Sequence, residues 1–335
     1  MPSFPATLGP AAPGTLVSPG ETSEKLRRIE SSIEVSVRGK AEAVRMALVC
    51  LLARGHLLIE DVPGVGKTTL AQALAHAVEC GFHRLQCTSD MLPSDILGVS
   101  IYNARSGEFE FKSGPIFTNF LLADEINRTA PKTQSALLEA MNEQQVSVEG
   151  RTLRLPDPFM VIATQNPAEH HGTYPLPESQ MDRFLMRLRI GYPDPLSERE
   201  IIRRSGQHPV ETAPRAVSGG ELLDLQEAVT RVKVDESIVD YMMKIVERTR
   251  AHAGLALGVS PRGAQAFYRA VQAHALLEGR PYALPDDVKA LAARVLGHRV
   301  APAMRSPLAT RAASQTGAAC ERLIEEILSE IEVPL

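Results

Sequence analysis

The nine residues DVPGVGKTT at positions 61–69 constrain what this chain can fold into more than any other stretch of it. They follow the apolar run 56–60, which reads as a strand, and they open a helix at Lys67. Strand, glycine loop, lysine, hydroxyl and helix in that order separate a phosphate-binding loop from an ordinary glycine-rich turn. Gly64 and Gly66 let the backbone curl so that successive N–H groups point inward, and the helix N-terminus adds its partial positive charge. Pro63, Gly64, Val65, Gly66, Lys67, Thr68 and Thr69 are therefore the candidate cradle for a nucleotide. Lys67 is placed to reach the β- and γ-phosphates, and the Thr68 hydroxyl suits Mg²⁺, which keeps several waters and takes few protein oxygens. One position departs from the G-x-x-x-x-G-K-[ST] pattern: Asp61 stands where the first glycine belongs, and its carboxylate has to point away from any phosphate.

A second run, FLLADE at 120–125, is a short apolar strand ending in two acids. Open α/β sheets bind ligands beyond the carboxyl ends of their strands, and neighbouring acids there divide the work. Asp124 is the candidate for holding Mg²⁺, directly or through water, and Glu125 for polarising the water that attacks a γ-phosphate. An acidic pair after a strand is often only a solvated loop start; beside the 61–69 loop it gains weight.

At 335 residues the chain exceeds the ~250 to 300 at which single cores stop growing, so two packed domains are expected. Residues 24–192 alternate helix-like segments with strand-like runs at 56–60, 82–88, 120–124, 159–164 and 184–190, the pattern of a parallel sheet covered by helices. Two hairpins interrupt it, at 98–111 and 146–155. Proline-rich punctuation follows at 192–215, after which the reading is entirely helical. Ser260-Pro261 opens one such helix and Gly279 stops it, while 321–331 carries an apolar stripe that should dock. The expected division is a flexible tail at 1–22, an α/β core at 23–195, a linker at 196–217 and an all-α domain at 218–335.

A net charge of -4 argues against sequence-independent attraction to a nucleic-acid backbone. Cys50, Cys80, Cys87 and Cys320 form no C-x-x-C pair and read as buried thiols of a reducing compartment. The first twenty residues lack a basic leader, and the longest apolar run, 46–53, is closed by Arg45 and Arg54, so no membrane insertion is expected and a cytoplasmic location is.

The stretches LIEDVPGVGKTTLA, LLADEINRTAPKTQSALLEAMNE, ATQNP, YPLPESQMDRF and GVSPRG, in this order from 58 to 263, resemble the successive motifs of the MoxR family of AAA+ ATPases. The resemblance implies an α/β fold: an AAA+ P-loop domain with five parallel strands between helices, followed by a smaller all-α lid. It makes the two hairpins inserts, one in the second helix and one before the first sensor. Asn166 resembles that sensor, an amide that holds the attacking water, though Asn-Pro is also a frequent turn. Arg183 resembles the arginine finger, supplied by a neighbouring subunit and so requiring a ring of copies, hexameric as is usual in the family. Arg262, in the first turn of a helix where the macrodipole disfavours a cation, resembles the second sensor, acting in cis or in trans. Arg128 and Lys132 read equally as interface groups or as solvated charges, and His170 and His171 as a loop without a zinc set.

The function implied is ATP hydrolysis with Mg²⁺ that remodels, assembles or activates a partner protein complex, extending in the family to metal-cofactor insertion. Family partners often carry a von Willebrand factor A domain. The alternatives are a magnesium-chelatase-like motor subunit, and a nucleic-acid motor, for which the hairpins carry the wrong mixture: Arg105 and Lys112 with Glu108 and Glu110, Arg151 and Arg154 with Glu149. No N-K-x-D motif supports guanine recognition.

Overall fold

The computed structural model describes residues 19–148, 150–166, 173–203, 209–303 and 313–334. Glu149, His170 and His171 lie outside them. Two helices lead in, α1 (Pro19–Ser36) and α2 (Ala41–Leu52). Then come β1 (Leu57–Glu60), α3 (Lys67–Ala77), β2 (Phe82–Gln86), a short α4 (Pro93–Leu97) and the hairpin of β3 (Gly98–Asn103) with β4 (Glu108–Ser113). Strand β5 (Phe120–Asp124) and helix α5 (Pro131–Glu143) precede a second hairpin, β6 (Gln145–Val148) with β7 (Arg151–Arg154). Strand β8 (Met160–Gln165), the short α6 (Glu178–Met181) and β9 (Met186–Leu188) complete the first half. The second half runs α7 (Pro195–Arg203), α8 (Pro209–Thr212), α9 (Gly219–Thr230), α10 (Glu236–Ala251), β10 (Leu255–Leu257), α11 (Pro261–Leu277), α12 (Pro285–Leu296), β11 (Ala301–Pro302) and α13 (Ala313–Glu330).

The main sheet has five strands in the order β2-β5-β8-β1-β9, all parallel. Alternation along each strand divides the core into two faces. Leu57, Ile59, Leu122 and Ile162 join one buried cluster with α2, α3 and the helices of the second half; Leu58, Leu121, Ala123 and Val161 join the other with α5. Parallel pairing needs a crossover between strands, and the helices that cover both faces supply it.

The apolar run 46–53 finds its reason here. A helix hydrophobic all round is one buried all round, and α2 packs against α1, α9, α11 and β9. Lid and core therefore share one continuous apolar cluster through α2.

Four expectations are corrected. The 1–22 tail contains the start of α1 at Pro19, and residues 1–18 lie outside the described ones. The 196–217 linker holds α8 and nearly all of α7. The all-helical second half carries a two-stranded antiparallel pair, β10 with β11. Two strand-like runs also prove longer than their strands: 82–88 yields only Phe82–Gln86, and 184–190 only Met186–Leu188. The helix opened by Ser260 behaves as expected: its Oγ accepts from Gly263 N at 3.0 Å, and Gly279 takes a φ of 74° beyond the helix end.

Helix α13 docks as its stripe implies, with Ile324 and Ile327 fully buried against the rest of the lid. Ile324→Ala is expected to lose about 2 to 5 kcal/mol of stability, read as a lower urea midpoint with an unchanged slope.

Candidate functional site

Gly64 and Gly66 take φ of 83° and 93°, and a Cβ at either would meet nothing within 4 Å. Their requirement is thus the left-handed backbone itself, on a loop whose outer side is open. Pro63 and Gly64 are exposed, while the Val65 side chain is buried in the core and leaves only its backbone to the loop. Gly66 caps α3, so Lys67, Thr68 and Thr69 form the first turn, where N–H groups have no helical acceptor. Lys67 Nζ donates to Asp61 O at 2.6 Å, which holds the ammonium over the loop.

The Asp61 carboxylate does point away. Its Oδ1 accepts from Val62 N at 2.8 Å, and its Oδ2 from Ile190 N at 2.7 Å and Gly191 N at 2.6 Å. The residue that departs from the glycine pattern is the tether binding the loop's entry to the end of β9.

The acids stand two strands away on the same edge. Asp124 Oδ1 accepts from Thr164 Oγ1 at 2.6 Å, and its Oδ2 from Arg84 Nη2 at 2.6 Å. Glu125 sits at a φ of 59°, with its N–H on Thr164 Oγ1 at 2.9 Å. Its Oε2 meets Arg128 Nε at 2.9 Å and Gln86 Nε2 at 3.2 Å. Burial first, then these two acids, push the Cys87 thiol up to about 12, so it stays protonated behind them. Asn166, 6% exposed, follows the strand lying between the loop and the acids. A threonine hydroxyl and a carboxylate on one edge are a donor set that fits a hard cation retaining waters. Lys132 is exposed in the first turn of α5.

Arg84, Gln86 and Thr164 were missed in the sequence. Thr164 had a signal, being a lone hydroxyl in an apolar strand and fully buried. Arg84 and Gln86 alternate on the edge strand, but only the register pairing Gln86 with Asp124 reveals their partners.

Arg183 and Arg262 lie elsewhere. Strand β9 runs parallel to β1 with Met186 beside Leu57, and Leu185 N donates to His56 O at 2.8 Å. Residues 182–185 therefore sit at the amino edge of the sheet, the length of β1 away from the glycine loop, or about 13 Å. Arg262 Nη2 donates to Asn142 Oδ1, near the C-terminal end of α5. Burial, and then the neighbouring Arg262 charge, lower the Arg183 pKa against Glu139 and Glu143. Arg262 also adds to the burial that brings His56 down to about 4. The two cations thus share one neighbourhood, and Arg183 Nη1 is buried there without a hydrogen-bond partner among the described residues.

Residues 56–186 match the family model described as the ATPase family associated with various cellular activities (AAA), and residues 247–322 match the AAA lid domain. Chaperone MoxR1 of Mycobacterium tuberculosis is 44% identical over 284 residues, covering 82% of this chain and 75% of that protein. The chain belongs to the MoxR family of AAA+ ATPases. YeaC of Bacillus subtilis, whose role is uncharacterised, is 50% identical over 298 residues, covering 89% of this chain and 91% of that one. A crystal structure from Cytophaga hutchinsonii, assigned provisionally as an ATPase, superposes with a TM-score of 0.85 at 36% identity, over 95% of this chain and 97% of that one. The AAA match ends at Met186, just beyond Arg183, and the lid match includes Arg262. No helix among the described residues is long and apolar enough to cross a membrane.

Removing the Asp61 tether leaves the N–H groups of Ile190 and Gly191 without their acceptor, at about 1 to 3 kcal/mol for each buried group left unpaired. Asp61→Ala is expected to lower the thermal unfolding midpoint, and Asp61→Asn, which keeps one accepting oxygen, to recover part of the loss.

Proposed function

We propose that this chain hydrolyses ATP with Mg²⁺ at the interfaces of a ring of its own copies, hexameric as in its family resemblance, and uses the turnover to remodel a partner protein complex. The separation of the two edges carries the reading. The glycine loop, Asp124, Glu125 and Asn166 stand at the carboxyl edge, whereas Arg183 and Arg262 stand at the amino edge. One copy offers half a site at each edge: a neighbour on one side completes its carboxyl-edge half, and its own amino edge completes the site of the neighbour on the other side.

In this reading the N–H groups of residues 64–69 and Lys67 bind the phosphates, and Thr68 and Asp124 hold Mg²⁺, which neutralises phosphate charge. Glu125 orients and polarises water from its place beside Gln86 and Arg128, with Asn166 holding that water against the γ-phosphate. Arg183 and Arg262 of one copy stabilise charge on the phosphate held by the next, so both act in trans. Such a site works by positioning and charge neutralisation rather than covalent chemistry. The remodelling role rests on the family and on the chaperone name of the Mycobacterium tuberculosis relative. A partner with a von Willebrand factor A domain, and metal-cofactor insertion as the task, rest on the family alone.

Lys67→Ala is expected to abolish binding of a fluorescent ATP analogue, whereas Glu125→Gln keeps binding and stops phosphate release. Arg183→Ala is expected to lose about 10³-fold in turnover. Mixing Arg183→Ala with Glu125→Gln subunits should restore activity, because intact Arg183 groups then face sites whose Glu125 works. Failure to recover at every mixing ratio sinks the trans assignment.

A further inference from the structure

The residue before the finger candidate is gripped from the lid by both of its carboxylate oxygens. Asp182 Oδ1 accepts from Arg299 Nε at 2.8 Å, and Oδ2 from Ser260 Oγ at 2.9 Å. The rest of the Arg299 guanidinium holds the backbone around the finger. Nη1 donates to Leu185 O at 3.0 Å and Nη2 to Phe184 O at 2.5 Å, with His298 Nε2 3.0 Å from Phe184 O. Arg299 is 2% exposed in its side chain, so this ion pair is desolvated and its geometry tightly fixed. Ser260 is also the N-cap of α11, and Arg262 is the second residue of that helix. At Gly263 a Cβ would come within 2.8 Å of Arg299 Cδ, so the first turn of α11 lies directly on the Arg299 stem.

We propose that Asp182 is a positioning residue: through Ser260 and Arg299 it locks Arg183 to the helix carrying Arg262, so that both cations reach the neighbouring copy's phosphate as one unit that moves with the lid. The inference rests on the reading that Arg183 acts in trans. It differs from a purely structural ion pair in one respect. A structural role damages the whole subunit, whereas a positioning role damages only the half-site that the subunit lends to its neighbour.

Asp182→Asn keeps the side-chain shape and removes the charge on which Arg299 ends. Turnover should fall by about 10²-fold, the scale of a misplacement near 1 Å, with the affinity for a fluorescent ATP analogue unchanged. Asp182→Asn combined with Arg183→Ala should fall below Arg183→Ala alone by much less than 10²-fold, since only the share of the Asp182 effect that runs through Arg262 is left to lose. Mixed with Glu125→Gln subunits, whose fingers are intact, Asp182→Asn subunits should regain turnover. Wild-type turnover in Asp182→Asn beside an inactive Arg183→Ala overturns the clasp and leaves the finger standing. Wild-type turnover in Arg183→Ala overturns the finger reading itself. An Asp182→Asn defect that weakens nucleotide binding, or that mixing does not relieve, overturns the positioning role. If Asp182→Asn does not fold, Ser260→Ala removes one lid contact from the carboxylate, and the same assays should give a smaller loss with the same recovery on mixing.

Discussion

Parallel pairing of β1 with β8 on one side and β9 on the other is the constraint from which the rest of the molecule follows. Strands that run the same way deliver all their exits to one edge and all their entries to the other. The glycine loop, Asn166 and the acid pair are exits, so the topology brings them to one edge. The segment 182–185 is an entry, so its arginine is carried to the opposite edge. A sheet of this kind keeps the two sets of groups at opposite edges of one copy, and the proposed ring rests on that separation.

The glycine loop, the acid pair and the succession of strands were legible in the sequence because each is a local pattern: backbone freedom, charge after an apolar run, period. Partners across the sheet were not. Arg84 reads as one more exposed cation until the register of β2 with β5 sets it beside Asp124. His298 and Arg299 read as a polar pair after a helix, yet they are 7% and 6% exposed. Their depth comes from the lid closing on β9, which no spacing within the pair encodes.

The shortening of β9 has the same origin. Its apolar run spans 184–190, but only Met186–Leu188 pair as strand. At the entry, Phe184 O is taken by Arg299 and approached by His298; at the exit, Ile190 N is taken by Asp61. An N–H given to a side chain is lost to the ladder, and so is a C=O whose two lone pairs both face side chains. Apolar length therefore overestimates strand length wherever polar side chains claim the ends.

Those same ends make β9 the seat of the lid. Ahead of the strand, Arg299 and Ser260 close on Asp182. Within it, Arg187, 6% exposed in its side chain, bridges Glu321 of α13 at 2.7 Å and Glu60 at 3.5 Å. Beyond it, Ile190 and Gly191 hold Asp61 at the start of the glycine loop. Buried ion pairs add little net stability, because desolvation offsets most of their attraction, but breaking one partner is costly. Their effect is geometric: the lid cannot turn while keeping both clasps unless β9 turns with it, and β9 cannot move without pulling on the residue that tethers the glycine loop.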